Sequence, residues 1–367
     1  MQLPSPLRQA IDELAESADA KALRAAAARL TERYQAGTAE LPAMRSAMRN
    51  EDERLAYLLV RLPATFAAAS HALRAVRNHA PAGGFAVETM LDLGSGPGTA
   101  AWAALEVFPG LRKLCLVERD PALIRLGRQL AASGSLELAA LALAQAEWVC
   151  SDLRSELPEE SFDLVTASYA LGELSPANQF ECLRQAWART GKLLVLVEAG
   201  TRAGFGHIHR ARQELIAWGA NLVAPCPHRV QCPMAASGDW CHFAARVERT
   251  STHRRFKGGE LGYEDEKFSY LAASRIDCAP AQLRIVRHPA YHSGLVELQL
   301  CSADELAPHP AERAKGGLVG GPGLPPQQAK GGLVGGPGLK TLSIGRTNKQ
   351  LYRLARKAAW GDSWPPV

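Results

Sequence analysis

Short apolar runs alternate with longer Ala- and Leu-rich stretches through the middle of the chain. Each run has the length of a buried strand, and each intervening stretch is long enough for a helix. This alternation is typical of a parallel sheet with crossover helices, so an α/β fold is predicted. The predicted strands are Met90–Leu93, Leu114–Val117, Glu147–Cys150, Phe162–Ala167, Leu193–Val197 and a closing hairpin of Leu283–Arg287 with Leu295–Cys301.

The first 80 residues follow a helical pattern instead. Leu7, Ile11 and Leu14 fall on one face of a first helix. A second helix is predicted from about Asp19 to Gln35, and a third begins near Asn50. The predicted organisation is an N-terminal helical domain at 1–80, a sheet domain at 81–305 with a Cys-rich insertion at 222–257, a linker at 306–340 and a C-terminal tail at 341–367.

A glycine-rich turn follows the first predicted strand. Gly94, Gly96 and Gly98 let backbone N–H groups approach a ligand without a Cβ in the way. A dinucleotide site of the G-x-G-x-x-G type would require a third glycine where Thr99 stands. The stretch instead resembles the first motif of class I S-adenosylmethionine-dependent methyltransferases, which have a Rossmann-like sheet. The cofactor residues predicted here are Asp92, Gly94, Ser95, Gly96 and Gly98.

Two acidic residues end the next strands of the predicted sheet. Glu118 lies 20 residues beyond Gly98, where a carboxylate can accept hydrogen bonds from ribose hydroxyls. Asp152 follows the third strand, where a side chain can bind an adenine amine. Each acid alone is also compatible with a solvated strand end. Their order along the chain favours S-adenosylmethionine as the cofactor.

The segment after the fourth strand offers no recognisable catalytic group. In amino methyltransferases this place often holds an Asn- or Asp-Pro-Pro-aromatic box, and residues 168–174 lack it. The catalytic residue is therefore left unknown.

Three cysteines form a second constellation. Cys226, Cys232 and Cys241 lie within 16 residues, with prolines beside two of them. Stiff loops of this kind are good metal scaffolds, and a closed site needs a fourth ligand. The candidates for it are Cys301, Cys278, His228 and His242. The spacing leaves zinc and an iron–sulfur cluster both open. Three further cysteines lie in apolar patterns and are predicted to belong to the core: Cys115, Cys150 and Cys182.

Two basic segments favour a nucleic-acid partner, because Lys and Arg neutralise phosphates while aromatic rings stack on unpaired bases. The predicted RNA-binding residues are Arg254, Arg255, Lys257, Lys349, Arg353, Arg356 and Lys357. Tyr352, Trp360 and Trp364 interleave with the second group. The alternative is a solvated face and a docked C-terminal helix. Before this tail, residues 314–324 recur 15 positions later as 329–339, a Gly/Pro-rich duplication that is typical of a flexible linker.

Composition limits the remaining choices. The chain has 367 residues, 47% of them apolar, which is enough for about two domains. The formal net charge is +5, and no apolar run is long enough for a membrane span. Asp12, Glu13 and Glu16 argue against a transit peptide, and the Ala-rich composition indicates a bacterial source. We therefore expect a cytoplasmic bacterial protein that is a monomer when free, with thiols or metal ligands rather than disulfides.

The cysteine run also carries a more specific resemblance. Cys226-Pro-His, Cys232-Pro-Met and Asp239-Trp-Cys-His-Phe resemble the mitochondrial small-ribosomal-subunit methyltransferase-like family, which has human, yeast and bacterial members. Further segments agree with it: Glu198–Thr201, Gly204–Phe205, Glu266–Tyr270 and Tyr352–Asp362. The resemblance implies a class I methyltransferase fold, a 4Fe–4S cluster and association with small-subunit rRNA during assembly. It implies the cluster ligands Cys226, Cys232, Cys241 and, in preference to Cys278, Cys301.

The function predicted from the sequence is accordingly that of a small-ribosomal-subunit assembly or translation factor. In this interpretation the protein binds S-adenosylmethionine, a 4Fe–4S cluster and rRNA. One alternative is a catalytically active RNA methyltransferase, favoured by the intact cofactor loop. Another is a zinc-stabilised methyltransferase acting on a small molecule, which the basic, aromatic C-terminus disfavours.

Overall fold

A computed structural model describes residues 1–35, 48, 50–81, 84–133, 138–257, 261–302 and 338–366. The chain divides into two compact units. Unit 1 comprises Met1–Cys226 and Cys241–Ala281, and unit 2 comprises Pro227–Trp240 and Gln282–Val367. Most of the predicted linker at 306–340, with nearly all of its duplication, lies outside the described residues. The predicted domain boundaries stay a prediction.

Unit 1 is built on an eight-stranded mixed sheet. Its strands are β1 Thr89–Leu93, β2 Lys113–Glu118, β3 Glu147–Cys150, β4 Phe162–Ser168, β5 Thr190–Ala199, β6 Asn221–Ala224, β7 Phe243–Glu248 and β8 Tyr263–Ser274. The order is β3-β2-β1-β4-β5-β8-β6, with β7 paired to β8. Strands β1 to β5 are parallel, and β8 runs antiparallel to its neighbours. The predicted α/β class and Rossmann-like sheet are confirmed, because β1 to β5 have the order 3-2-1-4-5 of the doubly wound fold.

Helices cover this sheet. They are α1 Ser5–Glu16, α2 Ala20–Gln35, α3 Glu51–Val60, α4 Leu62–Asn78, α5 Thr99–Val107, α6 Pro121–Ser133, α7 Leu138–Ala144, α8 Pro176–Ala188 and α9 Arg202–Ala217, with α11 Ser251–Lys257 after β7. The predicted start near Asn50 is confirmed, since its side chain accepts a hydrogen bond from the Glu53 N–H at 2.9 Å and caps α3. The first four helices belong to unit 1 together with the sheet, and α4 packs on β8 and α5 through buried residues such as Phe66 and Leu73.

Unit 2 contains a separate five-stranded sheet. Its elements are α10 Pro233–Ala236, β9 Leu283–Ile285, β10 Ala290–His292, β11 Leu295–Ser302, β12 Leu339–Gly345, α12 Lys349–Ala355 and β13 Ser363–Trp364. The strand order is β10-β11-β9-β13, with β12 paired to β11. The predicted pairing of the last two apolar runs is confirmed by the antiparallel register of Ile285 with Leu300. Their assignment to the first sheet is wrong, because the long antiparallel strand β8 takes the place beside β5.

The C-terminal segment folds into unit 2 rather than forming a tail. Trp364 is fully buried in a core with Ile285, Val296 and Ile344, and Trp360 is 8% exposed. The expectation that Trp360 and Trp364 are available to stack on RNA bases is therefore wrong. The local sequence pattern could not show this, because the apolar partners of these rings lie on distant strands.

Candidate functional site

The glycine turn after β1 has the backbone geometry that the sequence predicts. Gly94, Gly96 and Gly98 have φ values of +67°, +55° and +84°, which lie in the left-handed region that favours glycine. The Gly94 and Ser95 N–H groups donate to the Val117 carbonyl at 2.9 and 3.0 Å, which ties the turn to the end of β2. The turn then enters α5 directly, so its backbone lies at a helix N-terminus.

Glu118 stabilises this turn from the neighbouring strand. One carboxylate oxygen accepts the Gly96 N–H at 2.9 Å, and the other accepts the Asp120 N–H at 2.8 Å. Each carboxylate oxygen has about two lone pairs, so each keeps capacity for one further donor such as a hydroxyl. The predicted ribose-binding residue thus lies beside the glycine turn and is 8% exposed.

Asp92 is buried at the centre of the sheet, beneath the turn. The Thr166 hydroxyl donates to its Oδ1 at 2.6 Å, while its Oδ2 has no hydrogen-bond partner among the described residues. Burial raises the pKa of Asp92 to about 7; the Thr166 hydrogen bond lowers it, and the nearby Glu118 charge raises it. The Ser95 and Thr99 hydroxyl oxygens are also buried without a partner in the described structure. Buried polar atoms usually have hydrogen-bond partners, so these unpaired atoms around the glycine turn fit a polar ligand that would supply the missing hydrogen bonds.

Asp152 occupies the predicted place but is already engaged. The Arg154 guanidinium binds both of its carboxylate oxygens, through Nε at 2.9 Å and a terminal nitrogen at 2.8 Å. Hydrogen bonds from Arg154 lower the pKa of Asp152 to about 2. Arg154 is the more exposed partner, with 61% of its side chain accessible against 23% for Asp152. An adenine amine would therefore have to share this carboxylate with Arg154.

A cavity of about 560 Å³ lies at the carboxyl ends of the parallel strands. Its volume is in the range of sites for small molecules and cofactors. It is lined by Gly94, Gly96, Glu118 and Asp152 of the predicted site, by Ser168–Ala170 after β4, and by Tyr57, Arg61 and Thr65 of the N-terminal helices. It lies at the topological switch point, where β1 leads to β2 on one side and β4 lies on the other.

Arg61 and Tyr169 of this cavity wall form a network with Glu266 that the sequence did not predict. Arg61 binds Glu266 of β8 through two nitrogens at 3.3 and 3.2 Å, and the Tyr169 hydroxyl donates to Glu266 at 3.0 Å. Tyr169 has φ +59°, which is strained for a non-glycine residue. Burial, followed by the Glu266 charge, raises the pKa of Tyr169 well above its ordinary value. Tyr169, which follows β4 where a catalytic group is expected, is therefore a neutral phenol bound within the protein.

The cysteines of the predicted metal site are divided between the units. Cys226 and Cys241 belong to unit 1, whereas Cys232 and Cys301 belong to unit 2. Within unit 2, Cys301 Sγ lies 3.4 Å from His228 Nε2, and both residues are buried. Over the part of the chain that the structure describes, no three His, Cys, Asp or Glu side chains form a group able to hold a metal. The soft donors fit zinc or an iron–sulfur cluster in kind, but a complete ligand set is not assembled.

The other cysteines separate further. Cys115 and Cys182 are buried, as predicted, and burial raises the pKa of their thiols to about 11 and about 12. Cys150 is exposed, so its predicted place in the core is wrong: it is the last residue of β3, at the edge of the sheet. Cys278 is partly buried, and its Sγ lies 3.9 Å from the Leu222 carbonyl in unit 1.

The predicted RNA-binding residues fall into two groups. Arg254 and Arg255 of α11 are exposed, and the side chain of Lys257 lies outside the described residues. Close to them, Arg246 and Arg249 are neutralised by ion pairs with Asp265 and Glu264. The second group is exposed on α12 and its C-terminal end in unit 2 and consists of Lys349, Arg353, Arg356 and Lys357.

A family model described as mitochondrial small ribosomal subunit Rsm22 matches residues 51–365. The human protein named ribosome assembly protein METTL17, mitochondrial, is 29% identical over 85% of this chain and 62% of its own length. Two proteins of Schizosaccharomyces pombe, named Rsm22-cox11 tandem proteins 1 and 2, mitochondrial, are 25% identical over 75% of this chain and 38% of their own length. This chain thus spans less than two thirds of each of these relatives.

Solved methyltransferase structures are more distant. Magnesium protoporphyrin IX methyltransferase from Synechocystis, solved with bound S-adenosylmethionine, is 10% identical with a TM-score of 0.37, covering 67% of this chain and 91% of that one. Mitomycin 7-O-methyltransferase is 19% identical with a TM-score of 0.33, covering 54% and 56%. At these values the fold assignment rests on the strand order and the glycine turn.

The predicted bacterial cytoplasmic location is contradicted by the comparisons. The family model and the human and fission-yeast relatives all carry the word mitochondrial in their descriptions. The prediction relied on the acidic residues Asp12, Glu13 and Glu16. They lie in α1 of the folded unit 1, so they carry no information about the cellular location. None of the described helices combines the length and apolar character required to cross a membrane.

Proposed function

Because the chain belongs to the mitochondrial small ribosomal subunit Rsm22 family, we propose that it assists assembly of the small ribosomal subunit by binding rRNA around a methyltransferase-like core. The human relative is named a ribosome assembly protein, which supports this role. The observation that carries the proposal is the match over residues 51–365, which includes all of the cavity lining except Met48 and the basic C-terminal segment as well.

S-adenosylmethionine is the proposed occupant of the cavity. The N–H groups of the glycine turn already donate within the protein, so the turn would contribute its close backbone approach and the buried Ser95 hydroxyl. Glu118 would accept hydrogen bonds from hydroxyls of the ligand. Asp92 would offer its unpartnered oxygen, and Asp152 would face the ligand while bound to Arg154. When bound, this cofactor supplies an activated methyl group.

The polar groups beside the cavity favour an assembly role over methylation, because they are already hydrogen-bonded within the protein. The Tyr169 hydroxyl donates to Glu266, which also accepts Arg61, so these groups support one another within the protein. A general base must reach the proton that it removes, and none of these groups is free to do so. An active RNA methyltransferase remains the second candidate, favoured by the intact glycine turn.

Gly96→Val tests the cofactor and separates the two candidates. Its Cβ would enter the cavity 3.8 Å from the Tyr57 hydroxyl, at a φ of +55°. We expect loss of S-adenosylmethionine binding in calorimetry. Gly219→Val is the matched control, because Gly219 has a φ of +84° and open space around its Cβ. The control should share the backbone strain but retain the cofactor.

In cells, the experiment measures assembly of the small subunit and methylation of its rRNA. Failure of subunit assembly in the Gly96→Val strain, with every rRNA methyl group intact, supports the assembly role. Loss of a specific rRNA methyl group with normal assembly would establish the enzyme instead. Normal assembly and normal methylation would contradict both functions for this cavity.

We further propose that Cys226, Cys232, Cys241 and Cys301 bind a 4Fe–4S cluster. The support is the loop spacing, the soft thiol donors and the buried contact of Cys301 with His228 in unit 2. Zinc, with His228 as a further ligand, is the alternative. Anaerobic purification should yield a brown protein with four irons per chain.

Cysteine variants locate that cluster. Cys226→Ser should lose the chromophore and the iron, whereas Cys150→Ser, at an exposed cysteine on the edge strand β3, should keep both. A colourless wild-type protein that contains one zinc and no iron would contradict the cluster.

We also propose that the protein is a monomer when free, and sedimentation of the full chain would test this.

A further inference from the structure

Tyr291 presents an aromatic ring at the surface of unit 2. It lies in β10, an edge strand of the second sheet, and all three residues of this strand are exposed. Tyr291 is 49% exposed, whereas Trp360 and Trp364 of the same unit are buried. Its hydroxyl donates to the Ala358 carbonyl at 3.4 Å, which fixes the ring at the edge of the sheet.

Arg356 lies against this ring. The centre of its guanidinium is 5.0 Å from the ring centroid, within the range of a cation–π contact. Arg356 is exposed, and no carboxylate among the described residues pairs with it. Unit 2 therefore displays a planar cation beside a planar ring, with the positive charge still available to an anion.

A second exposed pair shows why the charge matters. Arg246 lies 4.0 Å from the ring centroid of Tyr263 in unit 1. Asp265, however, binds the Arg246 guanidinium through both carboxylate oxygens, at 2.9 and 3.0 Å. Asp265 therefore neutralises the charge of Arg246, and its carboxylate would repel an approaching phosphate. Tyr291 with Arg356 is the better nucleic-acid contact.

A stripe of cations continues from Arg356 along α12. Lys349, Arg353 and Arg356 are spaced at i, i+4 and i+7, so they share one face of the helix. All three are exposed, while Ala355 and Ala358 on the opposite side are buried in the core of unit 2. Over about 10 Å of helix the stripe can follow a phosphate backbone.

We propose that Tyr291 and Arg356 form a stacking platform for one unpaired RNA base, with Lys349 and Arg353 on the adjoining phosphates. This inference rests on the proposed rRNA binding and specifies its chemistry. Aromatic and guanidinium planes stack on splayed bases, whereas double-stranded RNA shows proteins mainly its backbone and minor groove. The ligand class is therefore single-stranded RNA, as found in loops and bulges.

The test compares affinities of the full-length protein for a single-stranded RNA of small-subunit sequence. Tyr291→Ala should weaken binding by about 5- to 100-fold, the range of one lost stack. Tyr291→Phe keeps the ring and loses only the long hydrogen bond to Ala358, so it should retain most of the wild-type affinity. Phe180→Ala is the matched control, because Phe180 is 46% exposed in unit 1 and should not contribute.

An abasic scan of the RNA identifies the stacked base. Removal of that base should weaken wild-type binding by the same factor as Tyr291→Ala, and should have no further effect on the variant. Arg356→Lys keeps the positive charge but lacks the planar guanidinium. It should therefore weaken binding of single-stranded RNA while the salt dependence of binding is unchanged.

The outcomes distinguish the platform from the function on which it rests. If wild type binds the RNA and Tyr291→Ala binds equally well, the platform is wrong and rRNA binding stands. If wild type shows no affinity for any small-subunit RNA, the proposed function fails with it. Equal weakening by Phe180→Ala, or by Tyr291→Phe, would also contradict a specific stack at Tyr291.

Discussion

Asp92 shows how the fold holds a charged group at a cost to stability. In the unfolded chain the pKa of this carboxyl is near its ordinary value of 3.8, and burial raises it to about 7 in the folded protein. Between these values the unfolded chain releases the proton and the folded protein keeps it. The carboxyl therefore destabilises the fold progressively as the pH rises from about 4 to about 7, and the cost is complete above that window.

Asp92→Asn should remove this dependence. The amide oxygen can still accept the Thr166 hydroxyl, and no charge is buried. We expect the ligand-free variant to be more stable than wild type above pH 7, by at most about 4 kcal/mol, and the difference to vanish near pH 4. Urea unfolding between pH 4 and 8 measures it.

Asp152→Asn is the control of opposite sign. Hydrogen bonds from Arg154 lower the pKa of Asp152, so its carboxylate stabilises the fold above its unfolded pKa and loses that effect as the pH falls toward 2. This variant should be destabilised at neutral pH, by less than about 1 kcal/mol because the pair is solvent-screened. Parallel pH profiles for wild type and Asp92→Asn would contradict the buried-charge explanation.

At the scale of elements, the junction between α3 and α4 is fixed to β8. Arg61 stands between the two helices, and its ion pair with Glu266 is largely buried, with side-chain exposures of 17% and 15%. This contact places the N-terminal helices at the wall of the cavity beside the glycine turn. The predicted N-terminal helical segment therefore contributes to the cavity that is proposed to bind the cofactor, as well as to the scaffold.

Arg61→Ala should destabilise unit 1 by about 2–3 kcal/mol, because it leaves the Tyr169 hydroxyl as the remaining partner of the Glu266 charge among the described residues. Glu266→Gln in the Arg61→Ala background should recover part of that loss by removing the charge. Arg74→Ala is the control: Arg74 pairs with Glu106 across exposed surfaces and should cost less than about 1 kcal/mol. Denaturant unfolding measures all three. Equal losses for Arg61→Ala and Arg74→Ala would show that burial of the pair is unimportant.

The elements differ in how well their sequences predict them. The glycine turn was predictable, because the strand, the turn and the helix are consecutive and each has a local signal. Strand β8 was not: its first half alternates exposed with partly buried residues against β7, and its second half is buried beside β5. A strand that changes partner and environment midway has no single period to recognise.

The same limit applies to particular residues of the site. Glu118 was predictable from its place at a strand end, whereas Glu266 acts on Tyr169 only because an antiparallel strand brings it there. The left-handed backbone of Tyr169 has no sequence signal, since that conformation is ordinarily marked by glycine or asparagine. Trp360 and Trp364 lie among basic residues, a pattern that fits an RNA-binding surface and a packed core equally well until their partners are known.

At the scale of the whole molecule, basic charge is concentrated in unit 2. The basic residues of its described part are Arg229, Arg284, Arg287, Lys340, Arg346, Lys349, Arg353, Arg356 and Lys357. The acidic residues are Asp239, Glu297 and Asp362. In unit 1, by contrast, exposed arginines such as Arg112 and Arg184 are paired with Glu88 and Glu181. The modest net charge of +5 therefore conceals one unit suited to a polyanion.

Salt dependence of RNA binding should report this distribution. Each phosphate contact contributes about 0.7 to the slope of log affinity against log salt for a single strand. Replacing Lys349, Arg353 and Arg356 by alanine should therefore lower the slope by about 2. Truncation of the C-terminus would not serve, because it removes Trp364 from the core of unit 2.

The matched control replaces three paired arginines of unit 1, which are Arg74, Arg112 and Arg184. Their charge is already compensated by neighbouring glutamates, so the control should leave the slope unchanged although it removes the same number of cations. Titration of single-stranded small-subunit RNA at several salt concentrations measures both variants. Equal slopes for the two triple variants would mean that net charge, and not the face presented by α12, governs binding, and the assignment of RNA contacts to unit 2 would then be wrong.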